Sequence, residues 1–404
     1  MFRILMFSAD VLVKPMGGLG EHVRELSLQI TEKRPDACVD VVSPTYGEDY
    51  ALTDRISQRF ALTLMRTKMN LRKTYADIFR YQSELIARAL KLPRPNIVHA
   101  HDWSSFDAGR IISRHYGVPL VVTIHLACND LITPTSQDNL EMDYGHIEDM
   151  QYSGLMEANA VCHVSAHYQK KFGQNLAMKS VLCRNGVDPA PWMQVHEPMV
   201  LPGDRPKKLV YIGRIANMKN VDTLMSIDLP EDVDLCIIGG HQGSDTRVFD
   251  DLKRVVEKRP EIHMMGALYG EDKIRAMKSA TAGIFPSRQE PFGIVGLEWM
   301  LAGVPFAASY VDGMKDYLGD GHIALRCGTS KFLIEESVKK LCSMSEDEKK
   351  ARVAAGLEQV KKFGWDQVAD RVLEAYTMAE ANAGLTTVGA VQPPAWISSP
   401  APLF

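Results

Sequence analysis

Short apolar runs recur along the chain. Each is ended by turn residues and followed by a longer segment whose apolar positions fall three and four apart. Such runs predict strands at Arg3–Ser8, Val39–Ser43, Ile97–Ala100, Leu120–Ile124, Ala160–Val164 and Ser180–Leu182. A second series lies at Lys208–Ile212, Leu235–Ile238, Ile262–Met264, Ala282–Phe285 and Phe306–Ser309. Between them, Glu21–Glu32, Ile78–Leu90, Phe106–His115 and Leu297–Ala302 have helical spacing. Strands that are apolar throughout, without alternation, are buried on both faces, as in a parallel sheet between two helix layers. The pattern therefore predicts an α/β protein with two doubly wound, Rossmann-like parallel-sheet domains. Periodicity lapses over His196–Pro206, where Glu197-Pro198, Leu201-Pro202-Gly203-Asp204 and Arg205-Pro206 fall together. That places the first domain at residues 1–200 and starts the second at 201. Residues 384–404, with four prolines around Trp396, read as a flexible tail.

Composition narrows the function classes. Hydrophobic residues are 46% and charged residues 24% of 404, ordinary for a globular chain. Lys and Arg number 46 against 50 Asp and Glu, a net charge of −4, which argues against nucleic acid or a polybasic membrane surface as partner. Seven scattered cysteines without a CxxC fit buried thiols in a reducing compartment. No apolar run approaches the ~18 residues of a membrane span, so no integral membrane segment is expected. The opening Met1–Ala9 reads as a buried strand, not a signal peptide. A cytoplasmic protein is predicted.

Ligands on open α/β sheets bind beyond the carboxyl ends of the strands, so two such domains face each other across a cleft lined by those loops. After the first strand, Gly17-Gly18-Leu19-Gly20 leads into a helix. Its glycines let backbone approach a ligand and aim helix amides at an anion, although a plain tight turn would look the same. His99, His101 and His125 fall at strand ends, beside Asp102 and Trp103, a polar group and an aromatic face suited to a sugar acceptor. Arg214 and Lys219 follow the first strand of the second domain, where a guanidinium and an ammonium can clamp a diphosphate without a metal ion. Standing alone, that loop would read as a solvated basic surface. In Glu290-Pro291-Phe292-Gly293-Ile294-Val295-Gly296-Leu297-Glu298, Pro291 suits a first helical position, and the amides of Gly293 and Ile294 face an anion. Glu290 sits in the loop, where it can bind sugar hydroxyls. Glu298, placed about two turns into the helix, can accept from a ribose.

These segments, in this order, resemble the retaining glycosyltransferases of the GT-B fold, the broad group that includes glycogen and sucrose synthases. The resemblance runs from the first strand through Gly17–Gly20, His99–Trp103, Asn185-Gly186-Val187-Asp188, Gly213-Arg214…Lys219 and Glu290…Glu298 to Phe363-Gly364-Trp365-Asp366. It implies a second domain at 201–365 and a helix over 366–383 that crosses back to the first. It further implies that Arg214 and Lys219 hold the donor diphosphate and that Glu298 binds the ribose. Glu290 would contact the donor sugar, flanked by the amides of Phe292, Gly293 and Ile294. Gly17 and Gly18 would close over the diphosphate, and His125 would lie beside the transferred sugar. Members making bacterial glycogen or starch carry a Lys two residues before the paired glycines and commonly lack the second acid. Here Lys14 stands three before, and Glu298 is present, so the resemblance is to the broader group.

The expected reaction moves a hexosyl group, glucosyl being the leading case, from a nucleotide sugar such as UDP-glucose or ADP-glucose to a hydroxyl of a glucan, another glycan or a small acceptor. Retention, no cofactor and no metal are expected. Asp232-Val233-Asp234 has the D-x-D form of metal-dependent transferases, but it precedes the Leu235–Ile238 strand, at the far end of the sheet, and reads as a surface connection. Competing readings are a nucleotide-sugar epimerase, a glycan phosphorylase, for which no pyridoxal phosphate lysine is marked, and a non-catalytic sugar-binding relative.

Overall fold

The computed structural model describes residues 1–13, 17–43, 47–61, 75–131, 144–173, 176–241 and 246–388. Lys14, most of the tail and the segments 44–46, 62–74 and 132–143 lie outside them.

The first lobe is built on β1 (Phe2–Phe7), β2 (Ala37–Ser43), β3 (Tyr50–Ala51), β4 (Ile56–Phe60), β5 (Ile97–His101), β6 (Leu120–Ile124), β7 (Ala160–His163) and β8 (Ser180–Leu182). Their order across the sheet is β3-β4-β2-β1-β5-β6-β7-β8, parallel except for the β3–β4 pair. The strands alternate with α1 (Gly18–Lys33), α2 (Tyr75–Ala89), α3 (Trp103–Tyr116), α4 (Tyr144–Glu157), α5 (Ala166–Phe172) and α6 (Ala190–Gln194). The second lobe carries β9 (Lys207–Ile212), β10 (Val233–Ile238), β11 (Ile262–Gly266), β12 (Ala282–Phe285), β13 (Phe306–Ser309) and β14 (Leu325–Cys327), ordered β11-β10-β9-β12-β13-β14. With them run α7 (Val221–Leu224), α8 (Arg247–Val256), α9 (Gly270–Lys278), α10 (Ile294–Ala302), α11 (Lys315–Leu318), α12 (Lys331–Cys342) and α13 (Glu346–Val360). The last helix, α14 (Trp365–Val388), returns to the first lobe.

Strand order reverses between β1 and β5 in one sheet and between β9 and β12 in the other, and open α/β sheets place their ligands at such switch points. The loops after these four strands hold Gly17, Asp102, Arg214, Lys219 and Glu290.

Three apolar clusters hold the layers together. One face of the first sheet packs Val23, Leu26 and Ile30 of α1 together with Val368, Val372, Tyr376 and Ala379 of α14. The other packs Tyr81, Phe106 and Leu155, from α2, α3 and α4, and continues through Val187, Trp192 and Leu201 into Ile274 and Trp299 of the second lobe. A third cluster fills the remaining face of the second sheet, with Leu252 and Ile334. The chain crosses between lobes twice, and the crossings touch: the Val187 amide donates to the Phe363 carbonyl at 2.8 Å.

Several expectations need correction. The expected run of apolar strands omitted β3, β4 and β14. β4 alternates, and it buries Gln58, whose side chain accepts from the Leu12 amide at 3.1 Å and donates to Val41 O at 3.1 Å. β14 is three residues long with Arg326 exposed. Asp234 is not a surface residue. It lies inside β10, 2% exposed, with Lys208 Nζ donating to it at 2.7 Å and the Arg205 amide at 3.0 Å. α14 starts at Trp365 and runs on to Val388, taking the first residues of the segment read as a tail. A single Gly384 in an Ala-rich helix costs about 1 kcal/mol against Ala, too little to end it. Finally, α10 begins at Ile294, with Gly293 as its cap and Pro291 in the loop before it, so Glu298 lies little more than one turn in.

Candidate active site

A cavity of about 940 Å³ lies between the lobes. Gly17, Gly18, Asp102 and His125 line it from the first lobe, and Arg214, Lys219, Glu290, Phe292, Gly293, Ile294 and Glu298 from the second. Trp103 does not. It is the first residue of α3, and its ring is buried in the first-lobe core, so the structure removes it as an acceptor platform.

Two helix N-termini meet across this space. A Cβ on Gly18, where α1 begins, would lie 3.5 Å from Ile294 Cδ1, where α10 begins. Unpaired N–H groups of both helices thus face the same region, a favourable site for an anion. Gly293 has φ +88°, and a Cβ there would stand 2.7 Å from Glu290 Cγ, so the turn that exposes these amides has room only for glycine.

Lys219 donates to Glu290 in a pair that is nearly buried on both sides. Burial, together with the nearby Arg214 charge, pushes the Lys219 ammonium down, and Glu290 opposes that shift. Its Nζ also stands 5.6 Å from the Phe285 ring centroid. Glu290 is fixed from every side: Ser287 Oγ donates to its carboxylate at 3.3 Å, its amide donates to Asp312 Oδ2 at 3.0 Å, and its carbonyl accepts from Gly313 N at 3.1 Å. The Arg214–Lys219 loop is stapled to the same segment. Asn220, at φ +61°, donates to Pro286 O and Thr329 O, while Arg288 makes two 2.7 Å contacts with Asp222. Glu298 accepts from Lys273 Nζ at 2.5 Å.

On the first-lobe wall, Asp102 Oδ1 accepts from the His125 and Leu126 amides at 2.6 and 2.9 Å. Asp102 is held at φ +65°, and burial lifts its carboxyl to about 7 against the pull of those two bonds. Strained backbone of this kind concentrates at functional sites. Behind it, histidines are layered. His125 Nε2 is 3.1 Å from His101 Nδ1, His101 stacks on His99, and His99 Nδ1 lies 3.0 Å from the Tyr376 hydroxyl of α14. His22 Nδ1 donates to Asn185 Oδ1 at 2.8 Å, and its ring meets His125 edge-on. Burial pushes all four imidazoles down, His22 to about 4, so they are neutral at physiological pH and His125 can both donate and accept.

Comparison with known proteins agrees with this architecture. Residues 16–190 match the sequence family described as Glycosyltransferase Family 4, and residues 197–356 match Glycosyl transferases group 1. Each lobe thus carries a glycosyltransferase domain. It is 24% identical to the glycogen synthase of Mycobacterium tuberculosis over 94% of this chain and 95% of the relative. It is 25% identical to the alpha-maltose-1-phosphate synthase of Mycolicibacterium smegmatis over 94% and 100%. Among solved structures, sucrose-phosphate synthase from Thermosynechococcus elongatus superposes with a TM-score of 0.79 at 17% identity, covering 94% of this chain and all of that one. The two-lobed fold is GT-B.

Some residues of this glycosyltransferase's cleft escaped sequence reasoning. Lys273 sits in Gly270-Glu271-Asp272-Lys273, which looks like a solvated helix start; the usable signal was its position just after the carboxyl end of β11. His22 lies one turn into α1, facing inward, and only its pairing with Asn185, 163 residues away, reveals its place. Asp312 carries φ +41° and no motif. Among the described residues, no helix is long and apolar enough to cross a membrane.

Proposed function

We propose that this glycosyltransferase moves a hexosyl group from a nucleoside-diphosphate sugar to an acceptor hydroxyl with retention at the anomeric carbon, and without a metal ion. The observation that carries the reading is the convergence of the Arg214–Lys219 cations and the α10 amides on one wall of a cavity whose other wall holds His125 and Asp102. Arg214, Lys219 and the amides of Gly293 and Ile294 would draw off the departing diphosphate, interactions that strengthen as charge develops on the leaving oxygen. Glu298 would accept from the ribose hydroxyls. Glu290 would bind hydroxyls of the transferred sugar; its carboxylate is already engaged by Lys219 and Ser287, which suits a binding role better than nucleophilic attack. The leaving phosphate oxygen is then the base nearest the incoming hydroxyl, so attack and departure share one face and configuration is kept. His125, neutral and backed by His101, would hydrogen-bond the sugar from the opposite wall. The relatives' names supply acceptor classes to try first: a growing glucan and a phosphosugar.

The test is a donor-by-acceptor screen for released nucleoside diphosphate, followed by the anomeric configuration of the product. Release with an α-linked product from an α-linked donor supports the proposal; inversion overturns it. Conversion of the donor in the absence of acceptor would instead mark an epimerase of the same fold.

A further inference from the structure

Lys273 is absent from the reading above, yet it lines the cavity beside Glu298. Its ammonium donates to Glu298 Oε1 at 2.5 Å, and the side chains are 24% and 8% exposed. A second acid, Glu21 in the first turn of α1, approaches from the opposite lobe. Its charge and that of Glu298 outweigh the burial of Lys273 and keep the ammonium protonated. The cavity wall therefore presents a carboxylate and an ammonium side by side, one able only to accept hydrogen bonds and the other only to donate them.

A ribose presents two neighbouring hydroxyls, each with a proton to give and lone pairs to fill. A carboxylate alone satisfies the protons and leaves the lone pairs to water, which a closed cleft excludes. Resting on the donor reading above, we infer that Lys273 and Glu298 act as one diol reader, with Glu298 accepting from the ribose hydroxyls and Lys273 donating to their oxygens. Lys273 thereby sets the preference for a ribonucleotide over its 2′-deoxy counterpart. A merely structural ion pair, tying α9 to α10, would support the fold without distinguishing the two.

The experiment is calorimetric titration of the full chain with UDP, ADP and GDP, followed by the 2′-deoxy form of whichever binds. The wild-type protein is expected to favour the ribonucleotide by about tenfold or more, the scale of one charge-assisted hydrogen bond. Lys273→Met should weaken the ribonucleotide about tenfold and the deoxynucleotide, which keeps only its 3′-hydroxyl, clearly less, so that the ratio narrows. Lys273→Arg, which keeps the charge and the donors, should recover most of the ratio, and Lys273→Leu serves as the loss variant if the methionine one melts early. A Lys273→Met or Lys273→Leu protein that binds both forms more weakly but keeps the wild-type ratio overturns the inference and leaves the donor reading standing. A wild-type protein that binds none of the three nucleotides overturns the donor reading and this inference with it.

Discussion

Lys219 and Glu290, 71 residues apart in the chain, meet as a nearly buried ion pair on the wall of the interlobe cavity. The pair means that the cation assigned to the leaving diphosphate is held in place before any ligand arrives. Its partner is itself pinned by Ser287, Asp312 and Gly313, so the loops after β9 and β12 form one rigid unit.

Breaking that pair from one side should cost stability as well as turnover. Lys219→Met or Glu290→Gln leaves the other group buried with its partner gone, and each is expected to destabilise by about 3 kcal/mol in urea unfolding. The double variant should lose less than the two singles added. Turnover of Lys219→Met and of Arg214→Ala should fall on the order of 10²–10³-fold, with the acceptor KM little changed. Small, equal losses in both parameters would remove the cations from the reaction.

The two cleft glycines separate fold from ligand approach. A methyl on Gly18 would make ordinary contact with Ile294, at 3.5 Å. Gly18→Ala should therefore melt like the wild type and raise the donor KM several-fold. Gly293→Ala combines φ +88° with contacts of 2.7 Å to Glu290 Cγ and 2.9 Å to the Tyr317 hydroxyl; a loss of about 1–3 kcal/mol and of most turnover is expected. Thermal melts beside steady-state kinetics of the two variants check the contrast.

His163, at the end of β7, is buried with neither ring nitrogen paired among the described residues, and burial pushes its pKa down to about 4. The unfolded chain takes up this proton near pH 6.5, the native state only near 4. Wild-type stability therefore falls as pH drops through that window and recovers as it rises. His163→Leu should be at least as stable at pH 7.5. Its advantage should grow below pH 6.5 by up to about 1.4 kcal/mol per pH unit, as read from urea midpoints across the range. A gap that stays constant with pH would refute this.

The Asp232-Val233-Asp234 segment lies at the start of β10, at the opposite end of the strand from Gly239 and Gly240, which line the cavity. Asp234 is engaged by Lys208 and the Arg205 amide, and Asp232 by Lys207 at 2.8 Å. Glycosyl transfer should persist in excess EDTA, and full loss restored by added Mn²⁺ or Mg²⁺ would contradict the metal-independent reading.

What could be read in advance follows from how far each signal reaches. Leu120–Ile124 and Ala282–Phe285 are buried from end to end, with Thr123 as their one polar residue, because helices cover both faces, and their limits were legible to the residue. β4 lies near the sheet edge, where alternation and a buried Gln58 remove the apolar signature. The cleft loops were legible as types, since glycine, paired cations and paired acids each imply a chemistry. Their partners were not. Lys273 with Glu298, Asp102 with the His125 amide, and His22 with Asn185 are set by tertiary packing that no local spacing encodes. Trp103 shows the converse, an aromatic at a suggestive position that the first core simply absorbs. At α10, the preference of proline for a helix start yielded to the left-handed turn that only Gly293 can make.

Because Val368, Val372, Tyr376 and Ala379 of α14 complete the core formed by α1 and the first sheet, the amino-terminal lobe depends on residues translated only after the whole second lobe has been made. Domains generally fold in order as they leave the ribosome, but here the second lobe can mature first, while the earlier one waits with an apolar groove uncovered. Ribosome-bound chains halted before residue 365 should therefore be the species that engage chaperones, and a shortened transcript would yield a folded carboxyl-terminal half beside an unfinished amino-terminal one.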